Sequence, residues 1–266
     1  MATWYGALVQ GGVETPGLLH PPTVARGHSR GTVDFDRFDA LTFDCYGTLI
    51  DWETGILAAL KAASAEEWPA SDDDLLERFA MHESRAERGE YRSYREVLAE
   101  TIRGVATDYG VPVSDEAVGR FSLSVGDWPP FPDSSAALAR LARRFSLGVI
   151  TNCDRDLFAA SNQRLGVRFD WVITADQARS YKPSLKNFEQ AFATIPVPRE
   201  RILHVAQSLY HDHVPAKKLE MTTVWIDRRQ DRPGSGATPP AQVEPDMTVP
   251  SMAALADAAA PELDPS

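Results

Sequence analysis

Five short apolar runs constrain this chain more than any other feature: Ala40-Leu41-Thr42-Phe43, Leu147-Gly148-Val149-Ile150, Trp171-Val172-Ile173, Ile202-Leu203-His204-Val205 and Thr223-Val224-Trp225-Ile226. Each has the length and composition of a strand buried on both faces. The last four are separated by Arg155 to Leu165, Ser184 to Thr194 and Asp212 to Leu219, where apolar residues recur at helical spacing. Strands that alternate with helices pair in parallel through right-handed crossovers, so the pattern predicts an α/β fold with a doubly wound parallel sheet. Ligands meet such sheets at the carboxyl ends of the strands. Met247 to Val249 and Ser251 to Ala258 read as a last short strand and helix.

The alternation breaks once. From Thr54 to about Val125 the sequence holds helix formers at 3.6 spacing and no strand, which predicts four helices: Thr54 to Trp68, Asp72 to Arg88, Ser93 to Tyr109 and Asp115 to Ser124. Trp128-Pro129-Pro130-Phe131-Pro132 is the stiff return to the sheet. An insert placed just after the first strand stands over the carboxyl edge, where a lid belongs. The expected organisation is a poorly ordered extension over 1–34, an α/β core over 35–52 and 129–258, a helical cap over 53–128 and a tail over 259–266. Within the core, Arg229 to Pro245 has the Pro/Gly composition of a flexible loop.

With Lys+Arg 27 against Asp+Glu 38 the chain carries a formal charge of −11, which excludes a sequence-independent grip on nucleic acid. A hydrophobic fraction of 43% in 266 residues supports one good core and a smaller second one. Cys45 and Cys153 lie in no CxxC pair and read as reduced thiols. No apolar run approaches the roughly 18 residues of a membrane span, and no basic start precedes an apolar stretch near Met1, so the expectation is a soluble, cytoplasmic protein without membrane contact.

Chemistry is offered at four strand ends. Asp44-Cys45-Tyr46-Gly47-Thr48-Leu49 follows the first strand, with a carboxylate at its carboxyl end and a glycine that permits a sharp turn. Alone, Asp44 fits a helix N-cap or turn equally well. Thr151-Asn152 ends the second strand, Tyr181-Lys182-Pro183 follows the third, and Val205-Ala206-Gln207-Ser208 ends the fourth with Asp212 just beyond. Each has an ordinary reading as turn, surface charge or cap. Their order along one sheet edge argues for a shared site.

These residues resemble the haloacid dehalogenase (HAD) superfamily, whose four motifs correspond to Asp44 to Thr48, Thr151-Asn152, Lys182-Pro183 and Gln207 to Asp212. The resemblance covers about 39–258 and implies a Rossmann-like core with an inserted α-helical cap. Phosphatase members carry a second Asp two residues beyond the nucleophile as general acid; this chain has Tyr46, as in the (S)-2-haloacid dehalogenase (type II) branch. Halide leaves without a proton, so that acid is dispensable. Gln207 stands where magnesium-dependent members supply a carboxylate, and the expectation is therefore no catalytic metal and no cofactor.

The resemblance implies that Asp44 attacks C2 of a small 2-haloacid, forming an ester that water hydrolyses. Lys182 would keep Asp44 ionised, Thr48, Thr151 and Asn152 would orient Asp44 or the substrate carboxylate, and Asp212 would hold Lys182 or place the water. The amides of Cys45 and Tyr46 form an anion nest, and Gln207 joins the substrate-binding set. The expected partner is a small-molecule carboxylate, and a homodimer is admissible. The chain departs from characterised dehalogenases at Gln207, Leu209 and Phe188, where those enzymes have Ser, Asn and Tyr. Their cap arginine has no clear counterpart: His82 and Arg85 are the candidates, against the plainer reading of both as exposed polar faces of a cap helix. Trp52, Tyr91 and Tyr94 are pocket candidates that fit core packing better, and His211 and His213 read as helix-start residues. Two alternatives stay open: a phosphatase or other small-molecule hydrolase on this scaffold, and a catalytically silent binding protein.

Overall fold

The computed structural model describes residues 32–230, 232 and 236–261. Six strands form one sheet: β1 (Ala40–Phe43), β2 (Ser146–Thr151), β3 (Trp171–Thr174), β4 (Ile202–Ala206), β5 (Thr222–Ile226) and β6 (Met247–Val249). The order is β3-β2-β1-β4-β5-β6 and every pairing is parallel. β1 and β4 are buried throughout because both lie inside the sheet with helices over each face.

The period of two divides the apolar residues cleanly. Leu41, Phe43, Leu147, Val149, Leu203 and Val205 join the larger core, while Ala40, Ile150 and Ile202 turn to the opposite face.

Four helices follow β1: α1 (Trp52–Ala63), α2 (Asp72–Ala86), α3 (Tyr94–Tyr109) and α4 (Asp115–Leu123). Their starts are written in the side chains, since Asp51, Ser71, Ser93 and Ser114 each accept a backbone N–H of the first turn. At Ser71/Asp74 and Ser93/Glu96 the capping box is complete. α1 stops five residues before its expected end: Ser64 is extended and its hydroxyl accepts the Glu66 N–H, while the Trp68 indole folds back to donate to Leu60 O at 3.0 Å. Gly55 lets α1 lie directly on Trp128, since a Cβ there would sit 2.2 Å from the indole Cγ. The larger core runs without a break from the sheet into this layer through Ile50, Ile56, Phe79 and Val97.

The two chain crossings between sheet and helical layer lie side by side: Ile50 pairs with Pro130 in an antiparallel bridge, and the Asp51 N–H donates to Pro129 O at 2.8 Å. Beyond them comes α5 (Ser134–Leu141), a helix missing from the sequence expectation because its alanine-rich face carries little periodic signal beside the proline run. It packs against α10 (Met252–Ala259). α6 (Arg155–Leu165), the single turn α7 (Ala175–Ala178) and α8 (Leu185–Thr194) complete the crossovers before β4.

The expected helix over Asp212 to Leu219 divides into a π turn at Leu209–His213 and α9 (Val214–Lys218). Pro215, which cannot donate, fits only the first turn of α9, and the Ser208 hydroxyl accepts the His211 N–H inside the wider turn. The described part of 229–245 has no helix or strand, as its composition predicts, yet Ala237 and Thr238 are buried. Glu53 of α1 fastens it, accepting from Arg229 Nη1 at 2.8 Å and from the Ala237 N–H at 3.2 Å. Most of the expected N-terminal extension, and residues 262–266 of the tail, lie outside the described residues. No helix among the described residues is long and apolar enough to cross a membrane.

Candidate active site

Asp44 leaves β1 with its N–H bonded to Val205 O of the neighbouring strand at 3.0 Å, so the backbone at the strand's carboxyl end is fixed on the sheet. The chain then curls around one carbonyl: Cys45 O accepts from Leu49 at 2.7 Å and Ile50 at 3.0 Å. Gly47 makes the curl possible, at φ +89° with Trp52 and Gln207 so close that a Cβ would stand 3.0 Å from the indole nitrogen. The curl returns Thr48 beneath the carboxylate, where its hydroxyl donates to Asp44 Oδ2 at 2.6 Å and accepts the Gln207 N–H at 2.9 Å. Arg228, just after β5, holds the Thr48 carbonyl from the other side at 2.9 Å, pairs with Asp133 and stacks on Phe131.

Lys182 fills the space between two carboxylates. Its ammonium donates to Asp44 Oδ1 at 2.8 Å, Asp212 Oδ1 at 2.7 Å and Ile150 O at 2.9 Å, so all three protons are used in a site where the lysine side chain is 1% exposed. Burial works against the charge on Lys182, but Asp212 and Asp44 outweigh it and raise its pKa. Burial likewise opposes ionisation of Asp212, yet Lys182 and His204 hold it well below the usual carboxylate range. Burial raises Asp44 from its ordinary value, with Lys182 and Thr48 opposing.

His204, in the middle of β4, lies 3.0 Å from Asp212 through Nε2 and 3.0 Å from the Thr42 hydroxyl through Nδ1. Since a carboxylate only accepts, Nε2 carries the proton. The other oxygen of Asp212 is buried without a hydrogen-bond partner.

Asp44, Lys182, Asp212, Asn152 and His211 line the sheet side of a small cavity of about 30 Å³, roughly the share of one water molecule. The helical layer supplies Trp52, Glu83, Glu87 and Tyr94, and Thr238 enters from the loop before β6. Among the described lining residues there is no arginine. Burial raises the Glu83 carboxyl to about 7, although Tyr94 donates to it at 2.6 Å, and burial with the adjacent Glu83 raises Glu87 well above its ordinary value. Burial also lowers His211 to about 4, which leaves it a neutral imidazole.

The structure gathers most of the expected residues and reassigns several. Asp44, Thr48, Lys182 and Asp212 form one bonded cluster. Asn152 lines the cavity but spends its amide on the Lys182 backbone, accepting its N–H at 2.6 Å and donating to its carbonyl at 3.1 Å, so it sets the lysine and not Asp44. Thr151 does not join the cluster: β2 runs through it, and its hydroxyl is buried with no hydrogen-bond partner. Gln207 contributes its backbone N–H to Thr48, while its side chain accepts from Thr238 outside the cavity lining.

Cys45 is buried, and the amides of Cys45 and Tyr46 donate to no group among the described residues. The Tyr46 hydroxyl lies 3.0 Å from Ser161 Oγ, which turns that side chain along the cavity wall. Trp52 and Tyr94 reach the cavity, whereas Tyr91 stacks on Tyr181. Neither cap candidate faces the site: His82 binds Asp108, and Arg85 is exposed.

Sequence reasoning missed Glu83, Glu87, His204 and the exposure of His211 to the cavity. A signal for Glu83 exists in the spacing Leu76, Phe79, Ala80, Glu83, which places a carboxylate on the apolar stripe of α2.

Residues 38–209 match the sequence profile of the haloacid dehalogenase-like hydrolases. An (S)-2-haloacid dehalogenase of Pseudomonas putida is 25% identical over 198 residues, covering 71% of this chain and 84% of its own. Haloacetate dehalogenase H-2 of Moraxella sp. (strain B) is 26% identical over 227 residues, covering 82% and 96%. Among solved structures, L-2-haloacid dehalogenase of Xanthobacter autotrophicus with chloropropionic acid covalently bound superposes with a TM-score of 0.69 at 21% identity, over 82% of this chain and 97% of that one. The YfnB protein of Bacillus subtilis bound to magnesium gives 0.68 at 16%, over 84% and 99%, so the fold alone does not separate these two kinds of relative. The match over most of the α/β core and all four cap helices establishes that the chain belongs to the haloacid dehalogenase-like hydrolase family.

Proposed function

We propose that this hydrolase cleaves the carbon–halogen bond of small 2-haloacids through an ester on Asp44. The observation that carries the reading is the setting of Asp44: a buried carboxylate at the end of β1, gripped by Lys182 and Thr48, open to a cavity, with Tyr46 and not a second carboxylate two residues on. Asp44 attacks C2, halide departs with the bonding electrons, and C2 inverts. Water then adds to the ester carbonyl and releases the 2-hydroxyacid. Lys182 keeps Asp44 anionic before attack and balances the charge that returns on hydrolysis. The amides of Cys45 and Tyr46, unengaged among the described residues, are donors for substrate oxygen. The relatives named (S)-2-haloacid dehalogenase and haloacetate dehalogenase support a small haloacid as the substrate class.

The donor set does not suit a hard divalent cation, because Asp44 and Asp212 each direct one oxygen to the Lys182 ammonium and Gln207 turns a neutral amide elsewhere. No metal enters the scheme. The test is halide release from 2-chloro- and 2-bromo-acids in EDTA by the native protein and Asp44→Asn, with a single turnover in ¹⁸O-water. Release that EDTA leaves intact, that Asp44→Asn abolishes and that labels Asp44 supports the reading. Label appearing only in the product refutes the ester.

A further inference from the structure

The cavity above Asp44 has a wall that the scheme just given does not use. Glu83 and Glu87, one helical turn apart on α2 and its cap, both line it. Tyr94 OH donates to Glu83 Oε1 at 2.6 Å, and Asn152 Nδ2 donates to Glu87 Oε1 at 3.4 Å. The second oxygen of each makes no hydrogen bond, and neither residue forms an ion pair, among the described residues. Glu83 is buried and Glu87 half-buried; Lys182 lowers Glu87, but burial and the neighbouring Glu83 outweigh it, and burial raises Glu83 as well, so the pair retains a proton more readily than exposed glutamates do.

Displacement at carbon needs the nucleophile and the leaving atom on opposite sides of that carbon. Asp44 comes from the sheet edge and the two glutamates from the helical layer over it, and all three line one small cavity. We propose that Glu83 and Glu87 are the acid of this active site, giving the proton they share to the departing atom as Asp44 attacks. The family's usual acid position, two residues beyond Asp44, is occupied by Tyr46, whose hydroxyl is engaged with Ser161. The proposal rests on Asp44 as the nucleophile and deepens that reading by naming the leaving group. Bromide and chloride, anions of strong acids, gain little from a proton; fluoride, the anion of a weak acid, gains much. The substrate class is therefore small 2-fluoroacids.

In the first step an Asp44 oxygen bonds to C2, the carbon–fluorine bond breaks with both electrons going to fluorine, and HF leaves with the pair's proton. In the second, water adds to the ester carbonyl. One of its protons ends on the product hydroxyl and the other restores the pair, while Asp44 regains its charge. The ionisable groups facing the pair are Asp44 and Tyr46 after β1, Tyr181 and Lys182 before α8, His211 and Asp212 in the π turn, and Tyr94 on α3.

The test is initial-rate release of halide from 2-fluoro-, 2-chloro- and 2-bromopropionate by the native protein, Glu83→Gln, Glu87→Gln and Asp44→Asn between about pH 5 and 9. General-acid catalysis contributes about 100-fold or more, so both glutamine variants lower fluoride release by that factor and bromide release far less. The ratio of fluoride to bromide release falls at least about tenfold, and in the native protein that ratio declines as pH rises through the titration of the pair.

Equal losses for fluoride and bromide overturn the proposal and leave the pair a shaping role, as does a native protein that releases no fluoride. Release that survives Asp44→Asn defeats the nucleophile reading and this one with it. Infrared difference spectra give an independent check. A protonated carboxyl band at neutral pH that is lost when Glu83→Gln and Glu87→Gln are combined is expected, and its absence in the native protein also overturns the proposal.

Discussion

Replacing Lys182 by Met keeps most of the side chain's length and volume while removing three donors bonded at 2.7 to 2.9 Å. Asp44 and Asp212 are then left facing each other in the protein with side chains 8% and 0% exposed and no cation between them. Breaking a buried pair by deleting one partner costs about 3–5 kcal/mol.

Proton uptake sets a ceiling on that loss. Neutralising one carboxyl of ordinary pKa about 3.9 costs about 1.4 kcal/mol per pH unit above it, hence about 4 kcal/mol at pH 7 and about 1.5 kcal/mol at pH 5. Against a typical stability of about 5–15 kcal/mol the variant still folds. In the native protein Asp212 has a depressed folded pKa, so its contribution is intact between pH 7 and pH 5 and disappears only at lower pH, as pH falls through the folded value. The variant instead binds a proton on folding and gains stability as pH falls from 7 to 5, so the two curves converge over that window. Urea unfolding of both proteins at pH 7 and pH 5, with unchanged denaturant slope, measures this. A loss under about 1 kcal/mol at pH 7, or an equal loss at both pH values, refutes the picture of a cation that two buried carboxylates require.

Thr48→Val removes the hydroxyl that donates to Asp44 and accepts from Gln207, and since a hydrogen bond to a charged group is worth about 1.5–3 kcal/mol, kcat for halide release falls about 10- to 100-fold while the fold persists. Burial holds His211 and His213 neutral with pKa values near 4, so the unfolded chain binds more protons than the folded one between about pH 6.5 and 4; stability falls as pH is lowered through that window, and His213→Gln flattens the slope in thermal unfolding.

How much of this was legible follows from where each residue stands. β1 and β6 begin and end where the sequence placed them, because Asp44 follows Phe43 and Pro250 follows Val249 at the strand ends. Asp44, Lys182 and Asp212, far apart in sequence, meet because parallel strands deliver their carboxyl ends to one edge. Thr151 looked equivalent to Asn152, but pairing with Thr174 continues the strand through it and closes its hydroxyl into the sheet. His204 was hidden inside an apolar run, where only the register of β4 beside β1 reveals its bond to Thr42. Glu83 was legible in the apolar spacing of α2 and was passed over, whereas Glu87, at the helix's C-cap, is brought to the cavity by the packing of α2 over the sheet edge. The Pro/Gly-rich stretch announced a loop, but not that Glu53 would draw Thr238 over the cavity.

The paired crossing at Ile50 and Pro130 has a mechanical consequence. A lid joined to its base by two separated struts can twist them against each other; here both pass through one bridge, which acts as a single pin. Any swing of the helical layer is a lever turning about that pin, with the loop that carries Asp44 on the short arm. Arg228 bolts that arm to the sheet through the Thr48 carbonyl, and Asp133 anchors the bolt just beyond the second crossing. Torque applied to the helical layer is thus taken up at Ile50, one bridge away from the carboxylate.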